Sequence, residues 1–182
     1  MRKALLSLAL VGSTILCKAQ PMSQPVPSAS DVMKEACSVA KKEHKNVFIM
    51  FHASWCGWCH RMDSSMMDES CRKFFEDNYV IRHLVVDETN YKSYENPGGN
   101  EFRAKYGGDG QGIPFWLIFD KEGKLLFDSK ERKDANDGGQ NIGCPAAAEE
   151  VAYFLQILKK TSKLKDEELA VIATRFRKNE VH

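Results

Sequence analysis

No stretch of this 182-residue chain is apolar for long enough to span a bilayer. The longest, Ala4 to Leu16, has 13 residues, against the roughly 20 that a spanning helix needs. No sign of charge dominates either. Lys and Arg total 26 against 25 Asp and Glu, a formal net charge of +1, so there is no field to draw nucleic acid or an anionic membrane. No internal repeat is visible. Cysteine is scarce, and its pattern does not suit a static disulfide framework. What remains is 43% apolar and 28% charged, the composition of a soluble globular protein. The length serves one ordinary core and is short for two.

The first apolar stretch reads as a processing signal. Arg2 and Lys3 precede it, and Cys17-Lys18-Ala19 follows as a small-x-small site. The expectation is a signal peptide over residues 1–19, cut after Ala19, and therefore a secreted or periplasmic chain. The rival is acylation at Cys17. Leu16 disfavours it, because that processing prefers a small residue before the cysteine. Cleavage removes Arg2, Lys3 and Lys18, which leaves 23 basic residues against 25 acidic. Cys37, Cys56, Cys59, Cys71 and Cys144 remain, an odd number, in a compartment where disulfides form.

Residues 20–28 contain three prolines and read as a tether. Ser28 and Asp31 have the spacing of a capping box for a helix to about Lys45. Its apolar stripe is Met33, Ala36, Cys37 and Ala40. Asn46 to Phe51 is a continuous apolar run, the pattern of a strand buried on both faces. Gly57 to Glu76 reads as one helix and Tyr79 to Val86 as a second strand. Thr89 to Asn100 reads as a loop and Glu101 to Tyr106 as a short helix. Ile113 to Phe119 is a third strand. Asp120-Lys121-Glu122-Gly123 is a hairpin turn into Lys124 to Phe127. Ser129 to Gly143 reads as a loop. Helices follow over Pro145 to Lys160 and Asp166 to Lys178. Early strands that alternate with helices imply parallel pairing, and the tight turn implies an antiparallel edge. The fold class is α/β: a mixed central sheet with helices on both faces and an extra C-terminal helix.

The chemistry centres on Trp55-Cys56-Gly57-Trp58-Cys59-His60. Cys56 to Cys59 is a C-x-x-C, the redox dithiol pattern. With His60 the same letters spell the attachment signature of a c-type haem. A dithiol needs an accessible nucleophilic cysteine, a stabilised thiolate and a nearby resolving thiol. A C-x-x-C that follows a buried strand and opens a helix is expected to provide all three. The helix N-terminus turns N–H groups and a positive dipole end toward Cys56, and one helical turn brings Cys59 back beneath it. Such placement lowers a thiol pKa from about 8.5 into a range of roughly 3.5–7.5. Haem needs a distal ligand as well, and Met62, Met66 and Met67 lie on the anchor's own helix. A zinc site needs further ligands, but Cys71 and Cys144 each stand alone.

The strand Val47 to Phe51, the segment His52 to His60, the strand end Val85-Val86-Asp87 and the stretch Gly112 to Phe127 together resemble the thioredoxin-fold family. The likeness covers residues 30–160. It is closer to the secreted bacterial branch that includes the C-terminal domain of the disulfide interchange protein DsbD than to cytosolic thioredoxin. The resemblance implies a thioredoxin-like domain over 29–161 and a C-terminal helical extension over 162–182. It implies a thiol–disulfide oxidoreductase, of reductase or isomerase type, with Cys56 as nucleophile and Cys59 as resolving thiol. Pro114 corresponds to the family's cis proline. Its neighbour Ile113 would pair with an extended substrate by β-augmentation, and Trp55 and Trp58 would flank Cys56 as an apolar platform. No metal and no cofactor beyond the Cys56–Cys59 couple is implied. The partners would be protein thiols and disulfides and a membrane electron donor, with no nucleic acid.

The chain departs from the family at two positions. Met50 stands where a buried Asp usually assists the resolving thiol, and His83 stands in place of a Lys. The candidate acid/base is then His60, one turn after Cys56, with His52 and His83 behind it. Cys71 is expected far along the Gly57 helix, away from the site. A Cys71–Cys144 or Cys37–Cys144 bridge stays open. The alternative function is a non-catalytic module of the same fold that uses the C-x-x-C to hold a metal or dock a partner.

Overall fold

The computed structural model describes residues 25–134 and 136–180. The expected signal segment, its cleavage site and most of the tether lie outside the described residues. In chain order the elements are α1 Ala29–Glu43, β1 Asn46–His52, α2 Gly57–Met66, α3 Arg72–Asn78, β2 Tyr79–Val85, α4 Gly99–Lys105, β3 Phe115–Phe119, β4 Leu125–Asp128, β5 Lys130–Glu131, β6 Gln140–Asn141, α5 Ala148–Thr161 and α6 Asp166–Arg177. Ser28 caps α1 by accepting from the Asp31 N–H at 3.2 Å and donating to the Asp31 carboxylate at 2.6 Å, which satisfies an otherwise orphan donor.

β1 is central because it is apolar on both faces. Val47, Ile49 and Phe51 pack with Phe115, Leu117 and Phe119 of β3 against α1 and α4. Phe48 and Met50 pack with Trp116 and Ile118 against α2, α3, α5 and α6. The period-2 alternation of a strand thus builds two cores from one continuous apolar run. The sheet order is β2-β1-β3-β4. β1 and β2 are parallel, in a register that sets Met50 opposite His83. β3 runs antiparallel to β1, with Trp116 opposite Met50, so parallel pairing stops at the first two strands. The Asp120 carboxylate accepts from the N–H groups of Glu122 and Lys124 at 2.9 Å each, closing the β3–β4 turn.

Several sequence-based boundaries are corrected. The expected 57–76 helix is two helices, broken at residues 67–71. Asp68 competes with the helical ladder there. Its carboxylate accepts from the Ser70 N–H and hydroxyl, and from Arg175 of α6 at 2.8 Å. These bonds, the Ser70 hydroxyl first, hold its pKa down at about 2. Cys71 therefore lies in the break rather than along the Cys56 helix. Ile113 precedes β3 instead of opening it. The 89–100 loop contains a 3-10 turn at Lys92–Tyr94. The 129–143 loop contains the antiparallel β5–β6 ribbon.

α6 belongs to the same core as the rest. Leu169, Ile172 and Phe176 bury against the α2–α5 side of the sheet. Just after it, the buried Asn179 donates from Nδ2 to the Ser65 hydroxyl of α2 at 2.9 Å. Its carbonyl accepts from Arg61 at 3.1 Å. The expected C-terminal extension is thereby bonded to the helix that carries the cysteines.

Candidate active site

Cys56 is the N-cap of α2. Its sulfur accepts from the Cys59 N–H at 3.1 Å. Cys56 and Cys59 are joined in a disulfide, with Cα atoms 5.3 Å apart. Helical geometry after a buried strand is what brings them together. Ala53 and Ile113 pack against the pair. Cys56 is 2% exposed and Cys59 fully buried, so in the disulfide state Cys56 is more covered than the expected accessible thiol. Trp55 and Trp58 stand out beside it, 54% and 44% exposed.

Each tryptophan is held by a distant residue. The Trp55 indole N–H donates to the Asp87 carbonyl at 2.8 Å. Asp87 has a positive φ of 54°, and its carboxylate pairs with the buried Arg103 at 2.6 Å. The Arg61 guanidinium lies 4.8 Å from the Trp58 ring centroid, a cation–π contact, while its Nη1 reaches the Asn179 carbonyl. Across the site the Ile113–Pro114 peptide is cis. The Ile113 carbonyl oxygen lies 3.5 Å from Cys56 Sγ, placed to accept from that thiol when the pair is reduced. A groove of about 480 Å³ beside the disulfide is lined in part by Trp58, Ile113, Pro114 and Asn141.

The three candidate histidines have different partners. The ring Nε2 of His60 donates to the Ser54 carbonyl at 2.9 Å, tying α2 to the strand-exit loop. Among the described residues it makes no hydrogen bond to either sulfur. That same loop is fixed by the buried Glu88, which accepts from the Ser54 N–H at 2.6 Å and its hydroxyl at 2.7 Å. The Ser54 N–H bond, then its hydroxyl, lower the Glu88 pKa. His83 pairs with Asp63 of α2 at 2.8 Å and lies edge-on to His52, with ring centroids 4.9 Å apart.

His52 Nδ1 is buried without a partner. Burial first, then the neighbouring His83, push its pKa below the ordinary 6.5. The neutral ring is therefore the form that folding favours. Stability is unaffected by this group at high pH and falls as pH drops below about 6.5, until the folded-state ring itself takes a proton. A His52→Phe variant should flatten that acid limb. Melting temperatures of the two proteins at pH 8 and pH 5 check this. Equal losses in both would remove His52 as the cause.

Among the described residues Cys37, Cys71 and Cys144 are free thiols, so neither bridge left open by the sequence forms. Cys37 packs on the α1 face and Cys144 on the opposite face of the sheet, which excludes their pairing. Burial raises the pKa of Cys37 and Cys71 and pushes Cys144 up to about 12. The raised values favour the thiol form of all three at neutral pH. The sequence reading missed Glu88, Arg103 and Asn141. Glu88 follows the strand-end Asp directly and could have been noticed there. Arg103 and Asn141 carry no local signal.

A family profile described as thioredoxin-like matches residues 29–121. The disulfide bond reductase DsbH of Chlamydia pneumoniae is 30% identical over 112 residues, which is 57% of this chain. This chain spans 65% of that protein's length. Among solved structures, a disulphide isomerase from Xylella fastidiosa Temecula1 is 21% identical with a TM-score of 0.47, covering 62% of this chain and 80% of its own. A thioredoxin from Thermus thermophilus is 18% identical with a TM-score of 0.44, covering 76% and 87%.

Proposed function

This chain belongs to the thioredoxin-like family, and on that premise we propose that it is a secreted thiol–disulfide oxidoreductase acting on protein disulfides. One observation carries the reading: a Cys56–Cys59 disulfide capping a helix, with the carbonyl before a cis proline against its outer sulfur. The helix N-terminus and the Cys59 N–H stabilise a Cys56 thiolate. That thiolate attacks a substrate disulfide. One Cys56–substrate S–S bond forms, the substrate S–S bond breaks, and the departing sulfur takes a proton. Cys59 gives up its proton and attacks Cys56; the Cys56–Cys59 bond forms, the Cys56–substrate bond breaks, and the second substrate sulfur takes a proton and leaves as a thiol. Two electrons have passed to the substrate, and an external dithiol must restore the pair.

In an oxidising compartment that dithiol comes from a membrane electron donor, which makes reductase or isomerase work the reading for this site. The likeness to a protein named as a disulfide bond reductase supports the reductase direction. Trp55, Trp58, Ile113 and Pro114 form the substrate platform. No described helix is long and apolar enough to cross a membrane.

The test is reduction of insulin driven by dithiothreitol. Wild type should accelerate it catalytically, and Cys56→Ser should return it to the uncatalysed rate. A Cys56→Ser protein as fast as wild type would end the proposal.

A further inference from the structure

The groove beside the disulfide has two walls, the 110–114 segment and the 139–144 end of the β5–β6 ribbon. Asn141 joins them. Its Nδ2 donates to the Gly112 carbonyl at 2.6 Å and to the Pro114 carbonyl at 3.0 Å. Its backbone N–H donates to Gln111 Oε1 at 3.1 Å, and its Oδ1 accepts from the Gly143 N–H at 3.1 Å. An amide NH₂ has two protons, and here both are spent on the carbonyls flanking Ile113. Ile113 is left between two pinned neighbours, its own carbonyl turned to Cys56 Sγ.

The opposite wall has unfilled space. A Cβ at Gly110 or Gly112 would meet nothing within 4 Å. Gly110 has a positive φ of 70°, which explains its glycine. Gly112 has neither a positive φ nor a close neighbour to require one. Its bare backbone leaves room for another chain to approach.

We propose that Asn141 is a positioning residue for polypeptide substrates. It holds Ile113 in the orientation that lets an extended chain pair beside Cys56, and the space over Gly112 takes the residues next to the substrate cysteine. This rests on the oxidoreductase reading and deepens it. A small disulfide needs only the Cys56 sulfur. A polypeptide that docks through its backbone needs residue 113 held in direction as well.

Two variants separate these demands. Asn141→Asp keeps an acceptor for the Gly143 N–H but loses both donations and sets carboxylate oxygen against two carbonyls. Gly112→Val fills the open space and keeps the backbone carbonyl to which Asn141 donates. Each should lower kcat/KM for insulin by about tenfold, mainly through KM. Each should leave the rate with a small aromatic disulfide, and the redox equilibrium with glutathione, within about twofold of wild type. Should both substrates slow together, Asn141 is merely structural and the proposal is overturned. Unchanged insulin turnover in both variants overturns it too. A wild-type protein that reduces neither substrate removes the oxidoreductase reading itself, and this inference with it.

Discussion

A reduced Cys59→Ser protein, mixed with a protein disulfide, accumulates as a covalent adduct through Cys56 and turns over no further. The reason lies in where the two sulfurs sit. Cys56 holds the helix N-terminus and receives the Cys59 N–H at 3.1 Å, so it is the sulfur whose thiolate is stabilised. Cys59 is fully buried and is reached only from within the chain. Resolution is then an intramolecular step, of the kind whose effective molarity reaches on the order of 10⁵ M or more. Serine at 59 removes that step without displacing the Cys59 backbone N–H. External thiol at millimolar levels replaces it poorly, so turnover should fall at least about a hundredfold. Intact-protein mass spectrometry should find one substrate chain per protein, released by strong reductant. Adducts through residue 59 in the reciprocal Cys56→Ser protein, at a similar rate, would reverse the assignment.

Trp116→Ala should be the most damaging change in the core. The ring is fully buried. It stacks on Phe48 at 5.6 Å and meets Phe154 edge-on at 5.4 Å between centroids. Its indole N–H donates to the Gly143 carbonyl at 2.9 Å, next to the residues that form the groove. Truncation leaves a large cavity and an orphaned carbonyl. The expected loss is about 3–5 kcal/mol, a large share of the roughly 5–15 kcal/mol that holds a domain together. Trp116→Phe keeps most of the packing but leaves the Gly143 carbonyl without its donor, so it should cost about 1–3 kcal/mol. Urea unfolding monitored by far-UV circular dichroism measures both. A Trp116→Ala cost below that of Trp116→Phe would show that this ring does not organise the core.

Both predictions draw on features that were legible in the sequence to very different degrees. The C-x-x-C after an apolar strand was visible at once, because neighbouring residues create the relation: strand, turn and helix N-terminus occupy one continuous segment. The same holds for the Ser28 cap, the Asp120 turn and the two-faced strand around Ile49. The partner of the Trp116 indole was not legible. Gly143 is 27 positions away, in a segment that reads as featureless loop. The helix break at Asp68 was legible only in part. Asp68 and Ser70 have the spacing of a local turn that competes with a helix, but the Arg175 that helps hold the corner arrives from α6.

The sequence by itself determined the local relations of this protein: where helical segments lie, though not the break within 57–76, which strand buries both faces, and that two thiols share one helical turn. These follow from periodicity and backbone sterics over a few residues. Tertiary structure alone decided that β3 turns antiparallel to β1, and that Cys37, Cys71 and Cys144 stay unbridged. It also decided that Asn179 reaches Arg61 and that Asn141 pins the carbonyls on either side of Ile113. Those pairings join positions tens of residues apart. Packing of the two cores brings them within hydrogen-bond distance, and no spacing along the chain encodes that approach.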